Sequence, residues 1–274
     1  MLHCFEVNIT NKYNHLWSAD KLIYSIGDLE GQLTELITEC VKKDGTAAKI
    51  YEHKDLLDNW FPKSGCHLFI SHSHADKKIA ISIANELYIK FGIKSFIDSE
   101  FWGFVDKAIY GINDKHSRIA GRDDVFEYNK CMRVASNFHL MLANALTDGI
   151  YYSDSCLFIK TDNSMPLQGD DSGVNEGTLS PWIFTEINYT STVAIAPHPK
   201  RPRHLLKAAV IVEGTEGRTM DSALQIAYRP KTEHMTKVDE DKLIQTIFSA
   251  TGRSKENDLD IFANLDKIYT NLLR

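Results

Sequence analysis

No stretch of about 18 consecutive apolar residues occurs in this chain, so nothing in it reads as a membrane-spanning helix. The first residues, MLHCFEVNITNKYNH, lack a basic start followed by an apolar run, and no secretory leader is expected from them. Prolines are few, seven in 274 residues; with 43% hydrophobic and 25% charged residues, long disordered tracts are excluded and a folded globular protein is expected. Positive charge is not in excess either. The formal net charge of -6 gives no general attraction to nucleic acid or anionic lipid, so neither is an expected partner and a phosphate-bearing ligand would need a local site. One basic cluster, His198 to His204 with Lys200, Arg201 and Arg203, reads as a solvated loop. Neither a Walker A sequence nor GxGxxG occurs, which removes phosphate-loop support for ATP-driven or hydride-transfer chemistry. The five cysteines, at 4, 40, 66, 131 and 156, are odd in number and contain no CxxC pair, so they read as reduced thiols of a cytoplasmic protein.

What is present is an α/β pattern. Cys4 to Ile9 is strand-like, Leu29 to Val41 is helical, and Lys43-Asp44-Gly45 is a breaker followed by Asp58 to Pro62. Residues 1–64 are expected to form an N-terminal α/β extension that packs on the main domain, because about 60 residues make a marginal core alone. His67 to Ile70 is a short apolar run ending in the polar loop Ser71 to Asp76. Ala80, Ile83, Ala84, Leu87, Tyr88 and Phe91 then recur at helical spacing, Asp76 stands where an N-cap belongs, and Gly92 supplies the stop, which predicts a helix over about 77–91. A second apolar run, Ile93 to Ile97, completes strand, crossover helix, strand, which implies parallel pairing. Beyond Ser99 the chain reads as a long polar segment to about Cys131. A helix with Val134, Phe138, Met141, Leu142, Ala145 and Leu146 follows, with His139 taken as a packing residue. Ser155 to Lys160 is a buried strand, Ser180-Pro181-Trp182 opens another helix, and Leu205 to Val212 is an apolar strand. Two helical stretches finish the chain, one opening near Asp239 and one with the stripe Leu259, Phe262, Leu265, Ile268, Tyr269 and Leu272. The expected organisation is residues 1–64, a main domain at 65–215, and a C-terminal helical extension at 216–274 packed on it.

In an open parallel sheet, ligands bind beyond the carboxyl ends of the strands. Three features converge there: the Ser71 to Asp76 loop, the Asp98 to Trp102 loop and the start of the helix at Ser180. Trp182 and Glu186 are spaced i, i+4, which puts an indole and a carboxylate on one helix face. Taken alone, such a glutamate complements the helix dipole as readily as it performs chemistry.

The stretch Phe69-Ile70-Ser71-His72-Ser73 with Asp76, then Phe96-Ile97-Asp98 after one helix, then Ser180-Pro181-Trp182 with Glu186, resembles the TIR (Toll/interleukin-1 receptor-like) family over roughly residues 66–213. The resemblance implies a flavodoxin-like parallel sheet with helices on both faces. It also implies an NAD-cleaving activity, with Glu186 as the catalytic carboxylate and Trp182 as the tryptophan four residues before it. By the same resemblance Ser71, His72, Asp98 and Trp102 line the substrate cleft. NAD is the substrate and no cofactor is needed, since the nicotinamide is already a cationic leaving group and one anion suffices where ordinary glycoside hydrolysis uses two carboxylates. The family context implies a bacterial, Thoeris-type anti-phage signalling role, self-association through TIR contacts and a separate effector that senses the nucleotide product. The segment Ser99 to Cys131 departs from the family by its length.

Two other readings have residues behind them. His72-Ser73-His74-Ala75-Asp76 is similar to the HxHxD run of metal-dependent hydrolases, although Lys77 stands where a further histidine belongs. The second is a TIR domain that acts only as a scaffold. Gly27-Asp28-Leu29-Glu30-Gly31 is similar to a metallophosphatase motif but has Glu30 in the ligand histidine's place, and no metal is expected there.

Overall fold

The computed structural model describes residues 3–26, 65–167, 176–193 and 226–274. The expected helix near Leu29 to Val41, the segment Asp58 to Pro62, the strand Leu205 to Val212, the basic cluster at His198 to His204 and the Gly27 to Gly31 motif lie outside these residues. Among those described, the strands are β1 (His3–Asn8), β2 (Leu68–Ser71), β3 (Ser95–Ile97), β4 (Arg118–Ile119), β5 (Arg122–Phe126), β6 (Ser155–Lys160) and β7 (Thr236–Asp239). The helices are α1 (Lys77–Phe91), α2 (Ser99–His116), α3 (Tyr128–Tyr152), α4 (Pro181–Thr192), α5 (Glu240–Leu243) and α6 (Asp258–Leu273). The chain divides into two compact units, one of Met1–Tyr24, Gly65–Ile97 and Gly149–Arg274, the other of Ser25–Ser64 and Asp98–Asp148.

The first unit is α/β. Its five-stranded sheet has the order β3-β2-β6-β1-β7, and every pairing is parallel. All the strands therefore end at one edge, at Asn8, Ser71, Ile97, Lys160 and Asp239. β1, expected as part of an extension, lies inside the sheet with β6 on one side and β7 on the other. Its alternation explains why: Phe5 and Val7 enter the main core, while Cys4, Glu6 and Asn8 point to the opposite face. β7 went unread in the sequence because Thr236 to Asp239 offers one buried apolar residue, Val238.

Helices cover both faces. On one, α1 and α6 pack Ile83, Leu87, Phe262 and Leu265 against Phe5, Ile70 and Leu157. On the other, Ile183 and Ile187 of α4 join Phe158, Met165 and Met235. α1 covers the residues its apolar spacing predicts and stops at Gly92, whose φ of 71° is left-handed. A Cβ at Gly92 would meet Lys255 Cβ at 2.9 Å, so glycine is required there on two grounds. Asp76 precedes the helix but does not cap it by a side-chain bond. Its carboxylate instead accepts from Thr161 Oγ1 at 2.5 Å and Asn163 Nδ2 at 2.8 Å, tying the loop after β2 to the loop after β6. Where Asp76 fails to cap, three other residues do. Ser180 accepts from Ile183 N at 3.3 Å, Asp239 from Lys242 N at 2.7 Å and Asn257 from Asp260 N at 3.0 Å.

The second unit corrects the expectation of a polar segment between Ser99 and Cys131. Ser99–His116 is a helix that buries Val105 and Ala108, and a short antiparallel hairpin, β4-β5, follows it. α3 then begins at Tyr128 and buries Phe138, Met141, Leu142, Ala145 and Leu146, while His139 is exposed. Among the described residues no helix is long and apolar enough to cross a membrane.

Candidate functional site

The sheet has a topological switch at β2. From β2 the chain passes through α1 to β3 on one side, and later returns as β6 on the other. Ligands of open α/β sheets are bound at the carboxyl edge beside such a point. Ser71 ends β2 there, in register with Phe158 of β6.

Glu186 is brought to the same place by α4. Its Oε2 accepts a hydrogen bond from Ser71 Oγ at 2.6 Å, joining residues 115 positions apart. Ser180 and Pro181 start α4, and the helical period then turns Ile183, Glu186, Ile187 and Thr190 inward. Glu186 is only 2% exposed, flanked on its own helix by two isoleucines that reach the core. A carboxylate in such surroundings is costly to keep charged, so a structure retains one where hydrogen bonds or function compensate. Ser71→Ala removes the serine donor from this buried acid. The unfolding free energy should fall by about 1–3 kcal/mol, read from the urea midpoint; an unmoved midpoint would show that the bond contributes nothing.

Two thiols lie on the same face of the sheet. Cys156 is the register neighbour of both Cys4 and Phe69, and burial pushes its thiol well above the usual range, with the neighbouring Cys4 and Glu186 acting in the same direction. Burial likewise pushes Cys4 up to about 11. Both remain neutral near pH 7 and so act as small, unreactive lining beside the carboxylate. None of the four described cysteines forms a disulfide. Cys4 and Cys156 are candidate-site residues that the sequence reading passed over. Their signal was the alternation of β6, where Leu157 and Ile159 face one core and Cys156 and Phe158 the other.

The remaining expected residues are placed as follows. His72 directly follows Ser71, is 3% exposed, and has Nδ1 3.4 Å from the Ile70 carbonyl oxygen. Trp182 is half-buried, one turn before Glu186 on α4. Asp98 and Trp102 belong to the second unit, and the expected loop is one turn residue followed by a helix: Asp98, buried, is the residue before α2, and Trp102 lies in its first turn. The expectation of a loop failed because Gly103 and Gly111, each a weak helix former, mask the helical period. The HxHxD residues do not converge, since His72 is buried, His74 exposed and Asp76 engaged with Thr161 and Asn163. Among the described residues no group of three or more His, Cys, Asp or Glu side chains is placed to hold a metal ion. No protein-family model, curated protein or solved structure matches this chain.

Proposed function

We propose that this chain is a TIR-type enzyme that cleaves the bond between nicotinamide and ribose in NAD, with Glu186 as its catalytic carboxylate. The observation that carries the reading is the 2.6 Å bond between Ser71 and Glu186, which unites two separate TIR-like motifs at the carboxyl edge of a parallel sheet. Cleavage sends the bonding electron pair to the pyridinium nitrogen, releasing neutral nicotinamide and leaving an oxocarbenium-like ribose. A carboxylate at that carbon, in a site poor in water, stabilises the developing positive charge. Trp182 would form an apolar wall beside the ribose. Water then gives ADP-ribose and a proton, an adenine nitrogen gives a cyclic product, and a second small molecule gives a conjugate. The setting we propose is cytoplasmic anti-phage signalling, with the protein self-associated and its product sensed by a separate effector.

Incubating purified protein with NAD, at concentrations that allow assembly, and following nicotinamide and nucleotides by mass spectrometry tests the reading. Nicotinamide release is expected. The scaffold reading has its own observation, the exposed apolar side chains of α3, with Tyr128 73% and Leu140 58% exposed. Self-association by light scattering together with intact NAD would favour it.

A further inference from the structure

A cleft opens at the carboxyl edge of the sheet, away from the β2 switch, where β6, β1 and β7 end. Its volume is about 400 Å³, within the range of small-molecule sites, and its wall is Glu6, Asn8, Lys160, Lys237, Val238 and Asp239. Three of these are exposed at the rim: Asn8, Lys237 and Asp239. Glu6 forms the floor and is 4% exposed. Its Oε1 lies 3.4 Å from Lys160 Nζ, and its Oε2, fully buried, has no hydrogen-bond partner among the described residues. Lys160 also pairs with Glu176, and although burial pulls its ammonium down, Glu176 and Glu6 together hold it above the ordinary lysine value. Asp239 is partly used, as the cap that accepts from Lys242 N.

A buried carboxylate oxygen without a donor costs stability, and nothing in the packing of β1 requires it, since Phe5 and Val7 supply the core. The charges on the wall decide what would satisfy it. An anion would be set against Glu6 at the floor. A cation would compete with Lys160 for the same carboxylate and be repelled by it. A neutral ligand that donates hydrogen bonds meets neither penalty. Two adjacent hydroxyls suit a carboxylate best, one to each oxygen, as charge-assisted bonds. Lys160 and Asn8 can donate to the hydroxyl or ring oxygens that remain.

We infer that the cleft floored by Glu6 and Lys160 is a binding site for a vicinal diol, the ribose of a nucleoside or the ring of a sugar. This stands whether or not Glu186 cleaves NAD.

The test titrates the full chain with adenosine, methyl glucoside and 2′,3′-dideoxyadenosine, followed by calorimetry and ligand-observed NMR. At least one of the first two should saturate a single site, and which one identifies the source of the diol. Glu6→Met should weaken that probe at least tenfold with the melting temperature kept or raised, and dideoxyadenosine should bind at least tenfold more weakly than adenosine if adenosine is the ligand. Should Glu6→Met fail to fold, Asn8→Ala at the exposed rim replaces it, with a loss of several-fold expected. The inference is overturned if neither diol saturates, if the folded variant binds as wild type does, or if dideoxyadenosine matches a saturating adenosine. A diol signal lost in Glu186→Gln but kept in Glu6→Met belongs to the other site and overturns it too.

Discussion

Glu186→Gln should leave the chain folded and slow nicotinamide release from NAD by about a hundred- to a thousandfold. Glutamine has nearly the same shape, and its amide oxygen still accepts from Ser71 Oγ, so the 2.6 Å contact can survive the change. What disappears is the negative charge, the feature that a positive ribose needs. The loss should fall on kcat rather than KM, because the interaction strengthens only as the bond to nicotinamide breaks. The melting temperature should hold or rise, since the cost of burying a carboxylate at 2% exposure is removed. Turnover that is unchanged in the folded variant would sink the assignment of Glu186. Wild-type protein that leaves NAD intact even when assembled would sink the enzymatic reading as a whole.

Phe5→Ala should cost about 3–5 kcal/mol of stability, which is a large part of the roughly 5–15 kcal/mol that ordinary domains have. Phe5 is 1% exposed, belongs to the main core, and stacks on Tyr269 of α6 with ring centroids 5.8 Å apart. It therefore joins the third residue of β1 to α6. Were β1 a strand packed on the outside of the first unit, the same substitution would cost far less. Urea unfolding of the full chain, monitored by circular dichroism, decides between the two, and a loss below about 1 kcal/mol would contradict the central place of β1. Deleting residues 1–24 should prevent the first unit from folding at all, because β7 would lose its one neighbour in the described sheet and β6 one of its two.

Much of this was legible where local chemistry is strong. α1 announced itself by an apolar stripe and a terminal glycine, and α4 by a serine cap with proline behind it; both are short-range effects written in adjacent residues. The pairing of Ser71 with Glu186 was not readable from spacing, since it depends on how β2 and α4 pack, and only the motif resemblance pointed to it. α2 was hidden by two glycines and by charged residues that occupy its outer face. β1 was seen as a strand, but its neighbours were not, because the residues that select β6 and β7 as partners lie far along the chain. Glu6 illustrates the same limit. In an alternating strand a charged residue reads as solvent-facing, and it became buried only once β6 and β7 closed on either side.

The position of β1 has a consequence for how the protein is made. Register joins His3 to Ser155 and Phe5 to Thr236, so β1 is made before the other described strands and its two partners are the last of them to be made. At about 5–20 residues per second, β1 waits for something on the order of 10–50 s before both sides of it can be paired. The first unit therefore cannot close during synthesis of its own N-terminal half, and long-range parallel pairing of this kind is slow even after release. Soluble yield should respond to chaperone supply and to the temperature of expression far more than the melting temperature of the finished protein would suggest.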